Sequence, residues 1–241
     1  MPNPFAVRNN LSYDKGLKIP LSFVQQKIDG KSELTIQAWV KSDGGDASAH
    51  KRTIIFNSTT GVSTNLWKIL LALREDGRVE FGGRRTFEDS YTVLFADVPN
   101  FSSGVYYHIT ASINLANREA KIYVGGELIQ TGVAFGSTGV FVDEPTRYEP
   151  RVLSCVLKGI DHPSVGEVDD LRFWDRVLSD DEVKENYDKY LKGTEEGLIG
   201  LYRFDEGSGL ICKNEVNSLY NATLQDSWQW TTGKVTVYWN R

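Results

Sequence analysis

The chain has 241 residues, with 27 Lys and Arg against 32 Asp and Glu and a formal net charge of −5. That modest acidity, without a basic cluster, argues against nonspecific binding to nucleic acid phosphates, and the longest apolar runs are far too short to cross a bilayer. A chain of this length fits one large domain over 1–241, with a core big enough to be stable without staples.

The opening segment, MPNPFAVRNNLSYDKG, lacks a basic stretch followed by an apolar one, so no secretory signal is read there. In residues 34–41, Leu34, Ile36, Ala38 and Val40 alternate with Thr35, Gln37, Trp39 and Lys41. That period of two predicts a strand with one face inward. WKILLAL at 67–73 and RVEFGG at 78–83 flank Glu75-Asp76-Gly77, a hairpin signal. Tyr91–Ala96 reads as another strand. Val105, Tyr107, Ile109, Ala111 and Ile113 then alternate with Tyr106, His108, Thr110 and Ser112. AKIYV and ELIQTG flank Gly125-Gly126, a second hairpin. Residues 132–150 read as a long loop, and RVLSCVL as the strand after it.

GEVDDLRFW at 166–174 nearly alternates, with a doubled Asp169-Asp170 step that predicts a bulge. Ser179 and Glu182 form a capping box, and Asp180, Asp181 and Glu182 suit the positive end of a helix dipole. Val183, Tyr187 and Leu191 continue at four-residue spacing, so 179–191 is expected to be the one helix, short and peripheral. GLIGLYRF, a short YNATL and KVTVYW at 234–239 supply the last strands. About a dozen strands with so little helix predict an all-β fold of two stacked antiparallel sheets, a jelly-roll sandwich.

Two cysteines, Cys155 and Cys212, make neither a disulfide framework nor a zinc site. They read as buried free thiols, with one disulfide between them as the alternative. Asn10, Asn57, Asn100 and Asn221 begin Asn-x-Ser/Thr sequons. The three histidines, His50, His108 and His162, show no Ser/His/Asp order or Cys/His spacing, which gives nucleophilic hydrolysis little support.

Four pieces in order carry a family resemblance: ELTIQAWVKSD at 33–43, WKILLALREDGRVEFGG at 67–83, GVYYHITASINLANREAKIYVGGELIQTG at 104–132 and GEVDDLRFWDRVLSDDEV at 166–183. They resemble laminin-G-like domains of the concanavalin A-like lectin/glucanase class. GLIGLYRFDEGSG at 197–209 and, more weakly, YDKGLKIP at 13–20 extend the likeness over roughly residues 10–205. The resemblance implies a jelly roll, an extracellular or surface-associated setting, a glycan or glycoprotein partner and a chain able to form homo-oligomers. It does not choose among lectins, glycosidases, lyases and adhesive or assembly modules, all of which use this fold.

Glu167 and Asp169 lie two apart and so share one face of a strand. In a glycosidase of this class they would be nucleophile and acid, with carboxyls roughly 5–5.5 Å apart for retention. Related glycosidases carry a third acid further along the strand, where this chain has Leu171 and Arg172; the alternative is a structural role. The resemblance also implies a calcium ion pinning the opening segment to this strand, with Asp14 and Asp170 (or Asp169) as ligands. For a sugar, aromatic planes are sought at strand ends and loops: Tyr91, Tyr148 and Trp228, with Arg84, Arg85, Asp89 and Arg147 to bond hydroxyls. The favoured reading is a noncatalytic carbohydrate-binding module, with its ligand on the concave face or on a loop rim built from the hairpin end at 83–92 and the long loop at 132–150. A hydrolase or lyase using Glu167 and Asp169 and a structural assembly domain of a phage, virus or cell-surface protein are its rivals.

Overall fold

Period-two alternation gives each strand one apolar face, and two sheets laid face to face bury both at once. A computed structural model shows this arrangement and describes residues 5–9, 16–43, 52–60, 67–145, 148–157, 160–164, 166–224 and 229–232. The first half holds β1 (Phe5–Asn9), β2 (Leu17–Lys18), β3 (Glu33–Lys41), β4 (Arg52–Thr59), β5 (Trp67–Arg74), β6 (Arg78–Gly83), β7 (Thr92–Asp97), β8 (Tyr106–Asn114) and β9 (Glu119–Val124). The second holds β10 (Glu127–Val133), β11 (Arg151–Val152), β12 (Ser154–Leu157), β13 (Ile160–Pro163), β14 (Gly166–Trp174), β15 (Leu198–Tyr202), β16 (Ile211–Cys212), β17 (Ala222–Thr223) and β18 (Gln229–Thr232).

Two antiparallel sheets of 8 strands result, as expected for the jelly roll. The first runs β10-β9-β8-β3-β14-β1-β18, with β15 also on β14; the second runs β16-β17-β2-β11-β4-β5-β6-β7. Both predicted hairpins form, with Gly77 at φ +84° in the turn between β5 and β6. The bulge appears where expected: the register of β14 on β3 shifts between Asp169 and Arg172, and Asp170 adopts φ +50°. There the opposite edge of β14 passes from β1, paired at 166–168, to β15, paired at 171–174.

One apolar cluster joins the sheets, running from Val7 to Leu224. Phe56 of the second sheet meets Phe173 of the first edge-on at 4.8 Å, a geometry the ring quadrupoles favour. Along one border the sheets close on each other. A side chain on Gly132 would begin 2.5 Å from Leu94 Cδ1, so β10 lies close against β7 there and any larger residue would have to turn the Leu94 side chain aside.

Three expectations change. Helix α1 (Leu21–Phe23) continues as a π-helical turn, Val24–Ile28, so 179–191 is not the one helix. Phe23, Val24 and Ile28 are buried, and this segment plugs one end of the core. The predicted capping box is present on α2 (Asp180–Asn186), but the helix stops four residues before Tyr190 and does not reach 191. Leu191 reaches the same apolar cluster as Val183 from the turn beyond. RVLSCVL is not one strand: Leu153 takes φ +53°, so β11 stays in the second sheet while β12 forms a hairpin with β13. Residues 234–239 lie outside the described residues. Cys155 and Cys212 are both buried, in separate clusters, and neither is in a disulfide, which excludes that alternative. Among the described residues no helix is long and apolar enough to cross a membrane.

Candidate functional site

Inward residues belong to the core, so chemistry must come from the two outer faces. On the first sheet, Glu167 pairs across to Lys41 and Asp169 to Trp39, so the two acids share the outer face as expected. Glu167 is not open to a substrate, being 1% exposed as a side chain. Its carboxylate accepts from Tyr106 Oη, from Lys41 Nζ at 2.7 Å and from Arg8 Nη1 at 3.3 Å. Arg8 is held in turn by Asp43 at 2.8 Å. Burial, then the bond to Glu167, pushes the Tyr106 hydroxyl pKa well up, so Tyr106 remains a donor. Asp169 is buried as well.

The rest of this face is roofed. His108 meets Trp39 and Tyr187 edge-to-face, and Trp39 is tilted against Tyr187, with centroids 5.0 to 6.3 Å apart. Leu178, Val183 and Leu191 of α2 and its flanks cover Tyr123, Trp174 and Leu201. Arg172, fully buried, fixes the end of that roof by donating to the carbonyls of Asn186 at 2.6 Å and Lys189 at 2.7 Å.

The same Arg172 forms an ion pair with Asp170. That guanidinium holds one oxygen of the carboxylate expected to bind calcium. Among the described residues no three His, Cys, Asp or Glu groups gather to hold a metal. Asp14 lies outside the described residues. Asp205 is held up to a pKa of about 6 by burial, opposed by Arg203 and reinforced by the charges of Asp170, Glu206 and Glu215.

The second sheet offers a different outer face. Ile54, Leu70, Ala72 and Cys155 form a small apolar cluster under the β12–β13 hairpin, and Trp67 and Tyr91 pack at its margin, half-buried. Their placement follows from a bulge. Ser58 pairs with Ile69 and Thr59 with Trp67, which leaves Lys68 as the extra residue. Trp67 stays with the outer cluster, while Lys68 goes to Asp29 and to the carbonyl of Val142 at 2.8 Å. Trp67 and Tyr91 meet edge-to-face at 5.9 Å and 68°.

Charged groups frame this aromatic pair. The Arg52 guanidinium lies 5.6 Å from the Trp67 ring centre, and Arg84 lies 5.7 Å from that of Tyr91. Glu80, nearly buried, accepts from Arg52 at 2.6 and 3.3 Å, from Tyr91 Oη at 3.4 Å and from Arg74 at 3.5 Å. Among the described residues, Arg84 Nε and Trp67 Nε1 have no hydrogen-bond partner. Arg84 and Tyr91 were expected at a site and do come together. Glu80, Arg52 and Arg74 were missed, although Glu80 lies on β6, which ends one residue before Arg84, and Arg52 stands opposite Arg74.

Arg85 and Asp89 do other work. Arg85 donates to Ser137 Oγ at 2.6 Å and to the Val140 carbonyl at 3.2 Å, while Ser137 donates to Asp89 at 2.7 Å. The Phe87 amide donates to Glu144 at 3.0 Å. These bonds strap the loop after β6 to the loop after β10, which brings the two predicted rim loops together. Tyr148 is half-buried ahead of β11 and does not join Arg84 and Tyr91 in any described contact. Arg147 and Trp228 lie outside the described residues.

Several solved structures share this fold. A candidate carbohydrate-binding protein from Bacteroides ovatus superposes with a TM-score of 0.67 at 18% identity, covering 98% of this chain and 61% of its own. The chain thus spans about three-fifths of that protein. The heptameric SAP-like pentraxin from Limulus polyphemus gives 0.60 at 13% identity, over 98% and 97%. The Ruminococcus gnavus IT-sialidase CBM40, solved with α2,3 sialyllactose, gives 0.51 at 18%, over 71% and 94%. No curated protein matches the sequence. Residues 15–184 match the pattern of one sequence family, and on that match the chain belongs to the concanavalin A-like lectin/glucanases superfamily.

Proposed function

We propose that the chain is a noncatalytic carbohydrate-binding module whose glycan lies on the outer face of the second sheet, across Trp67 and Tyr91. The observation that carries this reading is the half-buried aromatic pair at the margin of an apolar cluster, framed by guanidiniums. A sugar ring has an apolar CH face for an aromatic plane and hydroxyls for the donors around it, and recognition sites pair apolar lining with a few polar groups in this way. The strapped loops at 84–90 and 137–144 would form one wall. Binding at one such site is weak and gains through multivalency, whether by homo-oligomers or by repetition within a longer protein. The carbohydrate-binding neighbours from Bacteroides ovatus and Ruminococcus gnavus support the reading, and we place the module at an extracellular or cell-surface glycan.

The hydrolase alternative rests on Glu167 and Asp169. A glycosidase acid must reach the scissile oxygen, whereas the Glu167 carboxylate is enclosed by Tyr106, Lys41 and Arg8. Nothing observed favours the assembly-domain alternative over binding.

Glycan-array binding of the wild type, Trp67→Leu and Tyr91→Ala tests the proposal. Each substitution should weaken binding about tenfold or more, the scale of a lost aromatic contact, with the fold retained by circular dichroism. Undiminished binding would move the site elsewhere, and binding lost on chelation would restore the calcium expectation at Asp170. Turnover on a polysaccharide panel that disappears in Glu167→Gln and Asp169→Asn would replace the module with an enzyme.

A further inference from the structure

The aromatic pair carries an imbalance of charge. On a chain of net charge −5, Arg52 and Arg74 bond one carboxylate, Glu80, and a third guanidinium, that of Arg84, lies on the ring of Tyr91, whose hydroxyl also donates to it. The three are not equivalent. Arg52 is bound to Glu80 through two of its nitrogens, and Arg74 is shared between Glu80 and Asp76. Glu80 is thereby used up: both its oxygens are taken, and Tyr91 Oη also donates to it. Arg84 is left over. Its guanidinium lies against the Tyr91 ring, its Nε has no hydrogen-bond partner, and no carboxylate pairs with it among the described residues.

A guanidinium is a planar fork whose geometry matches a carboxylate. Held half out of water against an aromatic plane, it has lost hydration without gaining an anion. Resting on the proposed function, we infer that the glycan recognised here is acidic: a carboxylate-bearing sugar, with its ring on Trp67 and Tyr91 and its carboxylate on Arg84. Glu80 holds Arg52 and the Tyr91 hydroxyl in place and is buried, so it does not oppose the incoming anion. A neutral sugar would find the aromatic surface but would leave Arg84 unmatched.

Titration calorimetry on matched pairs tests this. One pair is trigalacturonate and its carboxyl-reduced counterpart; the other is sialyllactose and lactose. The pairs distinguish a uronic acid from a sialic acid as the source of the carboxylate. In at least one pair the acidic member should bind about tenfold or more tightly, as a charge-assisted bond provides, and rising salt should erode the difference. Arg84→Gln should bring the acidic sugar's affinity to that of its neutral partner, and Arg84→Lys should restore part of the gap. If acidic and neutral members bind the wild type equally, or if the preference survives in Arg84→Gln, the inference is overturned while the carbohydrate-binding reading stands. If the wild type binds neither pair nor any neutral glycan on the array, the reading itself falls.

Discussion

At the scale of single residues, the outer face of the first sheet shows how a carboxylate is taken out of use. Removing the Glu167 charge leaves Lys41, and Arg8 on one side, facing a neutral amide; both cations keep some solvent and Arg8 keeps Asp43, so the cost falls below the roughly 3–5 kcal/mol of a fully buried pair. Glu167→Gln should therefore lower the unfolding free energy measured by urea titration, while glycan binding on the opposite sheet is unaffected. Asp205 gives a dependence on pH. Its folded pKa of about 6 lies above the ordinary 3.8, so the folded chain holds a proton that the unfolded chain has released. Stability contributed by that proton is present below about pH 4 and is lost as pH rises towards 6. Asp205→Asn should match the wild type near pH 3.5 and melt higher above pH 6; equal melting curves at both pH values would refute this. Residue roles were only partly legible in the sequence. That Glu167 and Asp169 share a face follows from counting by two, but their enclosure depends on Arg8, Lys41 and Tyr106 arriving from three other strands. Asn57 shows the same limit. It begins a sequon, yet it is buried and donates to the carbonyls of Ser154 at 2.5 Å and Arg151 at 3.3 Å.

At the scale of elements, α2 was readable because its signals are local. Ser179 accepts from the Glu182 amide at 3.2 Å, and Glu182 reaches back to the Ser179 amide at 2.8 Å. Ser179→Ala should cost about 1 kcal/mol, seen as a lower melting temperature and as faster amide exchange over 180–186. The Glu182 pKa is held down to about 2, first by its bond to Arg176. A depressed acid stabilises above its unfolded pKa of 4.5, and its contribution fades as pH falls from there towards 2. In Glu182→Gln the stability deficit should accordingly shrink over that interval. The helical segment at 21–28 was missed because it has no side-chain cap and is only about two turns long, although Leu21, Val24 and Ile28 do lie at helical spacing. Tertiary burial, not local propensity, makes it helical. The break at Leu153 was hidden for a related reason: a leucine at positive φ carries no signal in a one-letter code, and it is held there by burial and by backbone bonds to Ile54 and Ser164.

At the scale of the whole molecule, one ion pair joins three distant stretches. Lys68, turned aside by the bulge in β5, meets Asp29 at the end of the π-helical turn and the carbonyl of Val142 in the long loop. Burial raises the Asp29 pKa and lowers that of Lys68, each against the pull of its partner. Lys68→Met alone should cost about 3–5 kcal/mol, because Asp29 is left buried without its cation, whereas Lys68→Met with Asp29→Leu should recover most of the loss. Guanidinium unfolding of the three proteins measures both, and an equal loss in single and double variants would refute the coupling.

The strands that finish the first sheet have a practical consequence. The family match ends at 184, yet the edge of β14 away from β3 is sheltered by β1 and β15, both outside residues 15–184. A fragment trimmed to the matched boundaries would bare the backbone amides and carbonyls of its central ribbon. Such a rim invites another copy to dock by strand addition. Anyone dissecting this protein by homology limits alone should thus expect soluble aggregates in light scattering, and adding back 5–9 and 198–232 should cure them.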